Sequence, residues 1–224
     1  MVDVILVVGA TGGVGQQVTR KLLARGESLC LLVRNPVRIR TLFGDVPCVF
    51  VGDTRQPDTL TPTFQDVRAV ICATGTTTPV GSNNPEHVDY QGVRNLVEAA
   101  RAAKVEHFVL VSSCSVTKPD HPLNKFGQVL TWKLKGEDAL RASGLTYTIV
   151  RPGGLTDEPG GQAALIFDQG DRISGMISRA DVAEVCIQAL QQPNARNATF
   201  EVVQTQGAPV DDWASLFAAL KSEG

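Results

Sequence analysis

Histidine, cysteine and aromatic side chains are all in short supply in this chain. Its three histidines, His87, His107 and His121, are scattered without metal-ligand spacing, so no metal centre is expected. The five cysteines (Cys30, Cys48, Cys72, Cys114 and Cys186) are odd in number and form no CxxC pair. Most lie in apolar stretches, where a free thiol behaves as a small hydrophobe. They point to a cytoplasmic setting or another reducing compartment. Charge of either sign is also missing in excess. The 21 Lys and Arg stand against 23 Asp and Glu, a net charge of −2 with a pI near 5.9. Nothing draws the chain as a whole toward nucleic acid or an anionic membrane, so an anion must be held by a local site. No apolar run approaches the roughly 18 residues of a membrane span. The start, Met1-Val2-Asp3 and onward, has no basic leader or small-residue cleavage site, and no signal peptide is expected.

What is present is a core-forming chain, 43% hydrophobic over 224 residues, which excludes disorder and fits one domain over 1–224. Apolar runs at residues 4–8, 29–33, 48–51, 69–73, 107–111, 147–150 and 200–203 read as strands. Helices read between them: from about residue 14, after Asn35-Pro36, from Gln56-Pro57-Asp58, over 86–103 and over 129–142. Ser178 opens another helix in a capping-box pattern with Asp181 in place of Glu, and Trp213, Leu216, Phe217 and Leu220 stripe a last one. Residues 153–177 are rich in Gly and polar groups and read as a loop region with one apolar stretch, 163–167. Strands alternating with helices predict an α/β fold: a Rossmann-type, doubly wound parallel sheet in a three-layer sandwich. Ligands of such sheets lie beyond the carboxyl ends of the strands, where strand order reverses.

The first of those ends carries Gly-Ala-Thr-Gly-Gly-Val-Gly at 9–15, between a strand and a helix. A tight turn without Cβ clashes, then a helix N-terminus with unpaired N–H groups, is what a pyrophosphate needs to approach the backbone. Gly9, Thr11, Gly12, Gly13, Val14 and Gly15 are therefore the candidate cradle of a dinucleotide. The second strand ends at Arg34, nineteen residues after Gly15, where an NAD site would place an acid for the ribose 2′-hydroxyl. Arg34, with Arg38 a helical turn on, suits a 2′-phosphate instead, through charge-assisted bonds worth roughly 1.5–3 kcal/mol each. The expected cofactor is NADP(H).

Further motifs are Leu-Val-Arg-Asn-Pro at 32–36, Val-Gly-Asp at 51–53 and Gly-Val-Arg-Asn-Leu-Val-Glu-Ala-Ala at 92–100. Val-Ser-Ser at 111–113 and Ser-Gly-Leu-Thr-Tyr-Thr-Ile-Val-Arg-Pro-Gly at 143–153 follow. Together they resemble the atypical short-chain dehydrogenase/reductase family, in its NAD(P)H-binding, NmrA-like branch, over about residues 3–192. Small size and the Ile-Ser-Arg-Ala-Asp segment at 177–181 are similar to that branch's NADPH-dependent flavin and biliverdin reductases. The resemblance implies that Gly52, Asp53 and Thr54 border the adenine, and that Ala73, Thr74 and Gly75 line the ribose and pyrophosphate side. It implies that Pro152, Gly153 and Leu155 hold the nicotinamide carboxamide. It also implies that Ser112 or Ser113 sits beside the nicotinamide, Ser113 being the choice, and that Lys133 reaches its ribose. Lys135 competes with Lys133 if the helix register differs.

The better-known members of the superfamily place a proton-donating Tyr four residues before the active-site Lys. Here that position is Val129. Tyr90 falls in the helix after the fourth strand and Tyr147 in the sixth strand, so neither replaces it. General acid–base help of this kind is typically worth 10²–10⁴-fold. Its loss favours an acceptor that needs little protein acid: a flavin or biliverdin-like planar molecule whose π-system spreads the incoming charge. The alternative is a non-catalytic NADP(H)-binding regulator, redox sensor or assembly factor. Residues 114–127 and 153–177 are expected at the substrate mouth, in a monomer with a small-molecule partner and no nucleic acid. Phe126 and Trp132 are the aromatics available to stack on a flat ligand, with packing against the core the favoured reading for Trp132.

Overall fold

The computed structural model describes residues 4–223; the Met1-Val2-Asp3 start, read above for a leader, and Gly224 lie outside them. The chain runs β1 (Val4–Val8), α1 (Gly13–Ala24), β2 (Leu29–Val33), α2 (Pro36–Phe43), β3 (Val49–Val51), β4 (Val67–Cys72), α3 (Val93–Ala102) and β5 (His107–Val111). It continues α4 (Val129–Arg141), β6 (Tyr147–Pro152), β7 (Gly154–Thr156), β8 (Ala164–Asp168), β9 (Met176–Ser178), α5 (Arg179–Ala189), β10 (Ala198–Thr205) and α6 (Trp213–Ala218). Eight strands form one sheet in the order β3-β2-β1-β4-β5-β6-β10-β8. All neighbours are parallel except β10 and β8.

Strand alternation divides β1 between two cores. Ile5 and Val7 face one side, with Val14, Val18 and Leu22 of α1 and Val182, Val185 and Cys186 of α5. Leu6 and Val8 face the other, with Leu96, Val97 and Ala100 of α3 and Leu140 of α4. A sheet covered by helices on both faces needs apolar residues at every strand position, which is why β2 and β5 are buried throughout. The chain winds outward from β1 through β2 to β3, then returns to β4 on the other side of β1. The crevice therefore opens above β1 and β4. This is the Rossmann-type α/β sheet expected from the alternation.

Several local expectations are corrected. Residues 153–177 are not simply loop: they hold β7, the antiparallel edge strand β8 and β9, with β7 and β9 pairing as a separate small sheet. The segment after Gln56 forms two short 3₁₀ turns, Pro57–Thr59 and Thr61–Phe64, rather than a helix. The expected 86–103 helix opens with a wide π-helical stretch, Glu86–Gly92, before α3. Gly92 closes that stretch against β3's exit: a Cβ there would stand 2.6 Å from Thr54 Oγ1. Cys30 and Cys48 are not free thiols but a disulfide, because the parallel register of β2 and β3 sets Leu31 opposite Val49 and so brings the preceding residues together. Cys72, Cys114 and Cys186 are free and buried, and burial pushes the Cys114 and Cys186 thiols up to about 12. Ser178 caps α5 as expected, accepting from the Asp181 N–H at 3.0 Å.

Candidate functional site

The glycine turn stands at the exit of β1. Gly9 has a φ of +89°, and a Cβ there would lie 2.5 Å from the Ala73 carbonyl oxygen. The ends of β1 and β4 approach so closely that only glycine fits. A Cβ on Gly15 would likewise run into the Gly9 carbonyl, so α1 begins directly on the turn. Gln16 N–H donates to the Gly12 carbonyl at 2.8 Å, which leaves the amides of Gly13, Val14 and Gly15 ahead of the helical ladder. The first turn carries no acidic residue and Gly12 no capping side chain, so nothing of the helix's own neutralises that end.

A cavity of about 290 Å³ lies over this turn. Of the expected residues it is lined by Gly9, Thr11 and Gly12 from β1's exit, Arg34 and Arg38 beyond β2, Gly52, Asp53 and Thr54 beyond β3, and Ala73, Thr74 and Gly75 beyond β4. Sequence reading missed a third arginine, Arg55, in the same wall. Its guanidinium grips Asp53 through Nε, at 2.9 Å, and through Nη2, and holds that carboxyl below the usual carboxylate range. Its Nη1 donates to the Ser82 carbonyl at 2.6 Å, while Arg34 Nη1 donates to Asn83 Oδ1 at 2.8 Å. Two arginines thus lace the 82–83 loop to the rim. Asn95 of α3 donates to the Thr54 carbonyl at 2.9 Å and pins the exit of β3.

The remaining expected residues stand outside this cavity's lining. Gly13, Val14 and Gly15 belong to the opening of α1. Ser112 and Ser113 follow β5, next along the same sheet edge. Ser112 is buried and donates to Glu137 Oε1 at 2.5 Å, so its hydroxyl is committed to the interior. Ser113 is half-buried, with its hydroxyl on the Cys114 carbonyl at 3.0 Å. Lys133 Nζ lies 2.8 Å from Asp89 Oδ1, and a Cβ on Gly75 would be 4.0 Å from that same nitrogen. Lys135 points elsewhere, 4.2 Å above the Trp132 ring. Of the two lysines, Lys133 is the one beside Gly75, where it pairs with Asp89 of the π-helical stretch, a residue that sequence reading missed. Trp132 is half-buried and stacks on Tyr90 at 5.9 Å, corresponding neither to core packing nor to an open platform. Pro152 ends β6. Gly153 and Gly154 pack against the Gly175 carbonyl, and Leu155 turns toward the core.

Behind Ser112 lies a buried charge network, of which only the Glu137–Arg141 pair, four residues apart on α4, follows a helical spacing. Glu137 is fully buried and takes Arg151 at 2.6 Å and Arg141 at 2.9 Å, while Arg151 reaches Glu201 at 3.4 Å. Asp171 closes its far side, accepting from the Ser115 and Thr117 amides at 2.5 and 3.0 Å and tying the loop after β5 to residues 169–175. Among the described residues no group of His, Cys, Asp and Glu is arranged to hold a metal ion. Among them, too, no helix is long and apolar enough to cross a membrane.

A parallel sheet with a glycine turn at its switch point and a helix whose first turn carries no acidic side chain, beside a polar cavity, defines a Rossmann-type dinucleotide-binding protein. Residues 9–193 match the NAD(P)H-binding family, and the chain belongs to it. It binds NAD(P)H. Among its relatives, the chloroplast protein At2g34460 of Arabidopsis thaliana is 37% identical over 98% of this chain and 83% of its own length. Sanguinarine reductase of Eschscholzia californica is 31% identical over 96% of this chain and 94% of its own. The photosystem II assembly factor Ycf39 of Trieres chinensis is 32% identical over 88% of this chain and 62% of its own. A solved Bacillus halodurans structure, assigned to the NAD-dependent epimerases/dehydratases, superposes with a TM-score of 0.82 at 27% identity, covering 96% of this chain and 99% of that one. The expectation of a cytoplasmic protein does not hold against these relatives: At2g34460 and a second Arabidopsis relative, At2g37660, are chloroplast proteins.

Proposed function

We propose that the chain holds NADP(H) in this cavity and, loaded with NADPH, reduces a planar conjugated acceptor of the flavin or biliverdin kind. The observation that carries this reading is the pairing of Val129, where an alcohol–ketone enzyme would have its Tyr, with a lysine held on Asp89 beside Gly75. The site keeps the group that would orient a nicotinamide ribose and lacks the group that would protonate an alkoxide. Bound NADPH supplies the hydride. The chain's own residues bind and orient. The amides of residues 13–15 face the diphosphate, Arg34 and Arg38 the 2′-phosphate, and Gly52, Asp53 and Thr54 the adenine. Ala73, Thr74 and Gly75 line the ribose, and Ser113 with Pro152, Gly153 and Leu155 border the nicotinamide. A planar acceptor held against that cofactor would take its proton from water, so the chain's residues would contribute by proximity and orientation. Residues 114–127 and 153–177 of the single domain form the acceptor side, held together by Asp171, with Phe126 and Met176 exposed there. A reductase among the relatives over nearly full length supports a catalytic role.

A second reading, an NADP(H)-responsive assembly factor or regulator, is favoured by the likeness to the photosystem II assembly factor. Either role has its setting with the chloroplast relatives. Mixing the protein with NADPH and FMN or biliverdin, and following the near-ultraviolet absorbance of NADPH, separates the two. Consumption supports the reductase. Tight binding without consumption on either acceptor supports the regulator.

A further inference from the structure

Arg179, the first residue of α5, lays its stem across the opening of α1. A Cβ built on Gly13 would stand 2.5 Å from Arg179 Cδ and 2.6 Å from Nε. Glycine at 13 thus has a second reason to be there: it leaves room for this arginine. Ser178 fixes the start of α5 through the Asp181 amide, so the position of Arg179 is set by a cap rather than by chance. Farther along the same helix pair, Lys21 and Arg25 are both matched by Glu184 at 3.0 and 2.7 Å. Arg179 has a weaker partner. Its Nη1 donates to Asp157 Oδ1 at 2.9 Å, but that carboxylate is 89% exposed while the arginine is 29% exposed. A pair with one member in water contributes little. A guanidinium and an uncapped helix N-terminus with no acidic residue in its first turn therefore stand together over Gly13, balanced by one solvated carboxylate.

We propose that Arg179 is a diphosphate clamp, and that dinucleotide binding exchanges Asp157 for the diphosphate. The inference rests on the cofactor reading above. A diphosphate brings two negative charges to a guanidinium whose planar fork suits paired oxygens, and it displaces a single carboxylate held in water. Once Asp157 is released, residues 153–177 lose a tie to α5, so the cofactor's arrival is passed to the acceptor side of the molecule.

The test is calorimetry of the full chain with two ligands, NADPH and adenosine 2′-monophosphate, which shares the adenine and 2′-phosphate but has no diphosphate. Arg179→Ala should weaken NADPH by about ten- to a hundredfold and leave adenosine 2′-monophosphate unchanged. Asp157→Asn should tighten NADPH by up to about fivefold. The unchanged nucleotide affinity doubles as a check of folding, and Arg179→Lys, which keeps charge but not the fork, should fall between. Unchanged or tighter NADPH binding in Arg179→Ala overturns the clamp, as does an equal loss on both ligands. Unchanged or weaker binding in Asp157→Asn overturns the exchange. A wild-type chain that binds neither ligand would instead remove the cofactor reading itself.

Discussion

Arg34→Ala should turn the protein's preference away from NADPH. In the structure the guanidinium is exposed at the exit of β2 and donates to the neutral Asn83 side chain at 2.8 Å. A bond of that kind contributes about 0.5–1.5 kcal/mol, and one to a charged phosphate about 1.5–3. Exchanging one for the other nets about 1 kcal/mol, and a second bond from the same fork brings the total to about 3. Solvent screening at an exposed rim holds the effect toward the lower part of that range. Arg55 cannot make up the loss, because Nε and Nη2 are both committed to Asp53. Arg38 can make up part of it. We therefore expect NADPH to weaken about tenfold in Arg34→Ala while NADH changes less than about threefold. Titrating both cofactors into wild type and variant at two salt concentrations measures this, and the NADPH loss should shrink at high salt. An NADPH-to-NADH affinity ratio that does not move would reduce Arg34 to surface charge and refute the 2′-phosphate assignment.

Glu137→Gln leaves Arg151 and Arg141 facing an amide in the interior. Breaking a buried pair costs about 3–5 kcal/mol, so the melting temperature should drop by about 10 °C in a chain this size, and a drop under about 2 °C would contradict the network. His107 is buried on Thr148, and desolvation pushes its pKa from 6.5 down to about 4. Between those values the unfolded chain binds the proton and the folded chain does not, so stability rises with pH across the window. The span is worth about 3 kcal/mol, and His107→Asn should flatten that slope in melts between pH 7 and 4. Cys30→Ser should cost about 3 kcal/mol and abolish the sensitivity of the melt to reductant, whereas two free thiols at 30 and 48 in the denatured, unreduced protein would disprove the bridge.

The layers of the fold were readable because each depends on local pattern: apolar runs, helical stripes and the glycine turn. β7 and β9 escaped notice because Gly154-Leu155-Thr156 is too short and polar to register. The π-helical stretch at 86–92 escaped because a periodicity reading assumes ordinary helical turns. Within the site, the residues that sequence named are those following strand ends, which topology gathers along one edge. Those it missed, Arg55 and Asp89, have partners set by folding rather than by spacing: the Ser82 carbonyl and Lys133. The disulfide belongs to the same class, since it follows from the register of two strands.

The scarcity of indole gives the molecule two built-in optical reporters in different layers. Trp132 adjoins Lys133 and stacks on Tyr90, whereas Trp213 begins α6 and leans on Phe217 at 6.5 Å in the opposite layer. A Trp213→Phe chain would leave one emitter beside the ion pair at the cavity's edge, and its quenching would register ligand arrival separately from changes around the antiparallel border strand.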